Sequence, residues 1–243
     1  MNTTMPAVRA EWIELTTVRS TAVLLAATAA IGLCISWAVA VFVTDEVLLV
    51  SEVAVYSTVL TALLASIGGI LTITADIDHG TLPSALMTHP TRWPVVCATA
   101  IAATILGLAL GAVGLATSVA GAIIGGLEIG PTSQLAANGG WALTFTGAAA
   151  LLGAGIGMAV RHSTAAISGL LAWWLVFENL LLVFLPDHIA RFLPYVAGGG
   201  LLDIGSAWEF DNLSRPQNAL VFGGYVAATL AVGATTLRRR DIH

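Results

Sequence analysis

Long apolar stretches separated by short polar breaks make up most of this chain. A helix needs roughly 20 apolar residues to cross the hydrocarbon core of a bilayer. Six stretches reach that length. The first runs from about Thr21 to Val43 and stops at Thr44-Asp45-Glu46. The second runs from about Val53 to Thr74 and ends at Asp76. The third follows Pro94 and stays apolar to about Ile124, either as one tilted helix or as a helix with an irregular end at Gly121–Gly126. The fourth spans about Leu135 to Val160, the fifth about Thr164 to Leu185 before Pro186, and the sixth about Asn218 to Leu237 before Arg238-Arg239-Arg240. Inside lipid every backbone polar group must be satisfied internally, which leaves helices or a closed barrel. Continuous apolar runs lack the alternation of a barrel. The pattern predicts an all-α polytopic membrane protein of six transmembrane helices, with residues 1–243 forming one transmembrane domain.

Composition agrees. Hydrophobic types make up 57% of the 243 residues and charged types 9%, against about 25% charged in a typical soluble domain. Mean hydropathy is +0.91. These values exclude an ordinary soluble enzyme, a nucleic-acid-binding domain and a disordered chain. Net charge is −5, and all nine basic residues are arginine. With six spans, Arg9, Arg19, Arg92, Arg161, Arg238, Arg239 and Arg240 fall on one side, and Arg191 and Arg215 on the other. The positive-inside rule makes the first side cytoplasmic, with both termini inside a plasma membrane. Acidic residues such as Asp45, Glu46, Glu128 and Asp187 then decorate the outer loops as a solvated surface. No signal-peptide cleavage pattern is present, so no cleavage is expected. Cys34 and Cys97 lie in apolar runs and read as inert small hydrophobes.

Four local features stand out. Val8, Trp12 and Leu15 recur at helical spacing ahead of the first span, which predicts an amphipathic helix on the cytoplasmic surface, with Trp12 at the interface. The cytoplasmic loop from Ala75 to Pro94 holds Gly80-Thr81 as a turn into a short helix with Leu82 and Leu86 on one face, closed by Pro90. Such a helix suits docking of a partner or serves as an ordinary connector. The outer segment from Pro186 to Pro216 mixes apolar residues with Pro194 and Gly198-Gly199-Gly200. It is too interrupted for two further spans and predicts re-entrant short helices. Finally, Glu178 sits inside the fifth span, about two turns before Pro186. A carboxylate at mid-membrane costs about 2.5–3.5 kcal/mol on insertion scales. It either lines a translocation path, pairs with Asn179 or another span, or makes a structural hydrogen bond.

Other chemistry is missing from the sequence. There is no lysine to complete a phosphate-binding P-loop, no Gly-x-Ser-x-Gly elbow and no His-Glu-x-x-His. No catalytic residue is expected. Asp76, Asp78, His79 and His89 lack a recognised ligand spacing, so no metal is expected. The pairs Gly107 with Gly111, Gly121 with Gly125, and Gly153 with Gly157 let helix backbones approach closely, within one bundle or at a dimer seam, the first being favoured.

The order of these features resembles the permease subunits of type 2 ABC transporters, a class of bacterial exporters. Three places carry the resemblance. One is His79-Gly80-Thr81-Leu82 through Pro90-Thr91-Arg92; another is Gly153 to Ala166 with Arg161 between two small-residue stretches; the last is Glu178 followed by Pro186 and Phe192-Leu193-Pro194. The chain departs from the family in Asp76-Ile77-Asp78, where Glu with aromatic or Arg residues is common, and in Thr99, where lysine is common. The resemblance implies a six-span permease that is not itself an enzyme and that forms a homodimer or pairs with a paralogue. It implies a separate cytosolic ABC ATPase that holds ATP and Mg, while this chain holds no cofactor. It makes the loop with Gly80, Thr81, Leu82, Leu86, Pro90 and Arg92 a coupling helix that docks on that ATPase, which the N-terminal helix also touches. The cargo path would lie between two permease copies, capped by the re-entrant segment, with efflux of a small amphipathic or hydrophobic molecule. The alternative is a gradient-driven secondary transporter that uses Glu178; a non-transporting membrane scaffold is a third class. The lipid bilayer is a partner in every case, and nucleic acid in none.

Overall fold

A computed structural model describes residues 19–43, 48–78, 93–202 and 213–239. The expected amphipathic helix with Trp12 and Leu15 lies outside the described residues, as do Gly80, Thr81, Leu82, Leu86, Pro90 and Arg92 of the expected coupling helix. The described elements are all helical. In chain order they are α1 (Arg19–Phe42), α2 (Val50–Val53), α3 (Thr58–Asp78), α4 (Trp93–Ile124), α5 (Thr132–Val160), α6 (Ser163–Ala172), a π-helical segment (Trp173–Glu178), α7 (Asn179–Phe184), α8 (Asp187–Ala190), α9 (Pro194–Gly199) and α10 (Arg215–Arg239). Six of the resulting helical rods are long and apolar enough to cross a membrane: Ser20–Phe42, Val50–Ala75, Val96–Ile124, Thr132–Val160, Ser163–Phe184 and Arg215–Thr236. The protein is a multi-pass, all-helical membrane protein.

The second, third and fourth spans form the centre. Of their apolar windows 61%, 50% and 61% is buried, against 17%, 11% and 17% in the first, fifth and sixth. The outer three therefore present most of their side chains to the surroundings, such as Val183 and Phe184 on the fifth and Leu220 on the sixth. The core along α3 and α5 is filled by Ile70, Phe145, Leu152, Leu201, Leu202 and Phe222. Phe145 and Phe222 meet edge to face with centroids 5.2 Å apart, the geometry that the ring quadrupole favours. Leu106, Leu110, Ile73 and Met158 build a second cluster between α3, α4 and α5. Several hydroxyls within the spans are satisfied locally: Ser66 donates to the Ala62 carbonyl at 2.9 Å and Thr74 to Ile70 at 2.9 Å, whereas the buried Thr28 Oγ1 and Ser51 Oγ have no hydrogen bond among the described residues.

Glycine sets how closely the central helices cross. A Cβ on Gly153 would run into the Ser66 backbone carbonyl, and one on Gly69 into the Ala150 carbonyl, so α3 and α5 touch backbone to backbone. The remaining glycines of the three sequence pairs behave alike. Gly107 and Gly111 face Thr146 on α5, Gly121 and Gly125 face Leu33 and Ala40 on α1, and Gly157 faces Ile70 and Ile73 on α3. All six serve packing within one bundle, the favoured expectation, as small residues do where no water drives helix association.

The boundaries refine the sequence reading. The third span is a single helix of 32 residues, roughly 48 Å long at the α-helical rise, ended by a turn in which Gly126 has φ +91°. That is a left-handed conformation glycine adopts freely. The second span begins earlier than Val53 because α2 adds a four-residue helix before a turn at 54–57. Glu52 accepts from the Leu49 N–H at 3.2 Å and closes its first turn. The sixth span begins at Arg215 rather than Asn218. Between α5 and α6 the chain reverses over two residues. Arg161 takes φ 59° there, its N–H bonds to the Gly157 carbonyl at 2.9 Å, and its guanidinium reaches the Thr236 carbonyl on α10 at 3.1 Å. Cys34 and Cys97 are free thiols on α1 and α4.

Candidate functional site

Two X-Pro steps shape the end of the fifth span. Proline disfavours helical geometry in the residue before it. Leu185, ahead of Pro186, is extended at φ −87°, ψ 142°, and Leu193, ahead of Pro194, at φ −63°, ψ 144°. The chain thus leaves α7, makes one turn in α8, straightens, and re-enters as α9 with Pro194 at its start. All six residues of α9 are buried. Gly198 packs on the Phe145 ring and Gly200 on the Asn218 amide, contacts that leave no room for a Cβ. Between the fifth and sixth spans the chain forms two short helices, α8 and α9, the second folded back into the bundle.

A buried helix start needs acceptors for its free N–H groups. Proline removes one of them. Glu178 supplies the rest: its Oε1 accepts from the N–H of Tyr195 at 2.7 Å and of Val196 at 2.9 Å. Glu178 is 3% exposed. Its Oε2 is buried and has no hydrogen bond among the described residues. Of the roles open at the sequence level, the structural hydrogen bond is present, and its partners are backbone amides 17 and 18 residues onward. Asn179 is not a partner of Glu178. Its side-chain amide donates to the Trp174 carbonyl at 2.8 Å and to Leu175 at 3.3 Å.

Those carbonyls belong to the π-helical segment Trp173–Glu178. Inserting a residue into an α-helix widens one turn and frees a carbonyl, and Asn179 occupies the position that re-satisfies it. The widened turn coincides with the residues that hold α9. Tyr195 then locks α9 to the core, with its hydroxyl 3.0 Å from Ser66 Oγ on α3 and its ring edge-on to Trp174 at 6.2 Å. Tyr225 on α10 donates to the Phe192 carbonyl at 3.0 Å. The fold-back is therefore tied to the second, fifth and sixth long helices at once.

Below it, a half-open groove of about 300 Å³ runs between α5, the fifth span and α10, with Leu152, Ile156, Leu170, Trp173, Tyr195 and Tyr225 among its lining residues. Sequence reasoning found Glu178 but missed Ser66, Trp173, Tyr195 and Tyr225. The one available signal was the pairing of an intramembrane carboxylate with a Pro-initiated short helix downstream, whose amides need an acceptor.

At the same end of the bundle a second polar link closes the structure. Asn138, 5% exposed, donates to the Ser51 carbonyl of α2 at 3.0 Å and accepts from the Arg215 guanidinium of α10 at 2.9 Å. No group of three or more His, Cys, Asp or Glu able to hold a metal lies together among the described residues. No known protein family's model and no curated protein matches this chain.

Proposed function

We propose that this chain is the membrane-spanning permease subunit of an ATP-driven exporter of the type 2 ABC class, working as a homodimer or beside a paralogue in the cell membrane. The observation that best supports this reading is the fold-back of α8 and α9 between the fifth and sixth spans, pinned from within the membrane helices by Glu178. A capped re-entrant segment at one end of a six-helix bundle suits a permease that must close a cargo path toward one side. The largely unburied first and fifth spans leave apolar faces for a second copy or for lipid. ATP and Mg would be held by a separate cytosolic ATPase. The chain's contribution is mechanical: motion received at the loop between the second and third spans is passed through the tightly crossed α3 and α5 to the capped end. Exported cargo would be small and amphipathic or hydrophobic. The gradient-driven alternative is disfavoured by the engagement of Glu178 Oε1 with two backbone amides, which makes it a fixed acceptor.

The coupling claim is tested by Leu82→Asp with Leu86→Asp in one chain. The double variant is expected to insert normally yet lose stimulation of the partner ATPase. Unchanged stimulation would remove the docking role from this loop.

A further inference from the structure

The groove between α5, the fifth span and α10 has a property that its apolar walls hide. Its volume, about 300 Å³, is at the small end of ligand sites, which span roughly 300–1,000 Å³. Three of its walls are aromatic: Trp173, Tyr195 and Tyr225. The two phenol hydroxyls are already engaged, with Ser66 and with the Phe192 carbonyl. What these residues offer a ligand is their π surface.

Behind that wall sits Glu178, 3% exposed. It makes no ion pair among the described residues, and its Oε2 is unpartnered. It meets the wall through the backbone: its Oε1 accepts from the N–H of Tyr195 at 2.7 Å, and it closes the π-helical segment that Trp173 opens. Arg191, the nearest arginine in sequence, stacks over Phe192 instead, 5.3 Å from the ring centroid.

We propose that this groove binds an amphipathic organic cation, its apolar body against Leu152, Ile156 and Leu170 and its charge against the aromatic wall backed by Glu178. A cation there gains from the ring faces and supplies a counter-charge to a buried carboxylate that accepts two backbone N–H bonds but has no ion pair among the described residues. An anion of the same shape gains neither and meets repulsion. As a binding site the groove stands apart from the exporter reading; as the class of cargo it rests on that reading.

The test uses the full chain alone in zwitterionic lipid discs, without any ATPase, so its outcome is independent of the exporter assay. Binding of radiolabelled tetraphenylphosphonium is compared with that of tetraphenylborate, a probe of matched shape and opposite charge, with empty discs subtracted. The expected result is saturable binding of the cation only. Glu178→Gln keeps a carbonyl oxygen for the two amides and should weaken cation binding by about tenfold or more. Gly169 lines the groove and has open space where a Cβ would stand. Gly169→Phe should therefore fill the groove and abolish binding without disturbing the bundle, which guards against misreading a folding defect in the Gln variant. Equal binding of the two probes, no saturable cation binding, or full affinity in either variant would overturn the proposal.

Discussion

Replacing Glu178 by Ala, with Gln as its control, separates the capping role of this residue from its charge. Alanine removes the acceptor of both bonds, at 2.7 and 2.9 Å, and strands the N–H groups of Tyr195 and Val196, residues 5% and 8% exposed. Each stranded donor costs about 1–3 kcal/mol, so the pair costs about 2–6 kcal/mol. Part of that is offset, because a buried carboxylate itself costs about 2.5–3.5 kcal/mol on insertion scales. Glutamine removes the same charge but leaves a carbonyl oxygen where Oε1 was, and its amide nitrogen replaces an oxygen that has no hydrogen bond to lose. The Ala-minus-Gln difference thus reports the two bonds less the cost of burying that amide nitrogen without an acceptor, at about 2 kcal/mol. Because α9 is a short appendage, the loss should appear as local opening rather than global unfolding. Hydrogen exchange of the amides from 193 to 202, measured in lipid discs, reads it directly. Exchange in the Ala variant should be roughly thirtyfold faster than in the Gln variant, since 1.4 kcal/mol is tenfold, while α3 and α5 stay protected in both. Equal exchange in the two variants would show that the amides do not depend on Glu178, and the account of the fold-back would fail.

Three further outcomes follow from the same geometry. Gly153→Val places a side chain against the Ser66 carbonyl and should cost about 3 kcal/mol or more, seen as a large drop in melting temperature in detergent, whereas Gly169→Ala, with open space at its Cβ, should melt like the parent. Asn138→Leu breaks the link between the Ser51 carbonyl and Arg215 and should cost about 1–3 kcal/mol; limited proteolysis should then cut sooner near α2 and the start of α10, and an unchanged digestion pattern would dismiss the link. Thiol labelling of the denatured protein without reductant should count two free cysteines, Cys34 and Cys97, and a count of none would contradict their separate placement on α1 and α4.

Run length made the six spans legible in the sequence, because the bilayer demands a minimum number of consecutive apolar residues and tolerates no exposed backbone. Glu178 was legible for the same reason, as a charge where charge is expensive. Its partners were not. They are backbone amides, which carry no residue-type signal, and they come near only because two pre-proline residues turn the chain back by an angle no composition encodes. The π-helical turn at Trp173–Glu178 was hidden because its residues suit an ordinary α-helix equally well. The short helix α2 was hidden because four residues carry no periodicity. The groove draws its walls from three separate spans, so no local window contains it. The glycine pairs were readable as close contacts, but which helix each one meets came only from the assembled bundle.

The central claim, that this chain is an ABC exporter permease, is tested most directly by purifying it together with the ABC ATPase encoded nearest its gene and measuring ATP hydrolysis in lipid discs. The account predicts a stable complex whose hydrolysis depends on the permease and falls when Leu82 and Leu86 are both replaced by Asp. A well-folded permease that binds no such ATPase and leaves its hydrolysis unchanged would contradict it, and would return Glu178 to consideration as the ion site of a gradient-driven carrier.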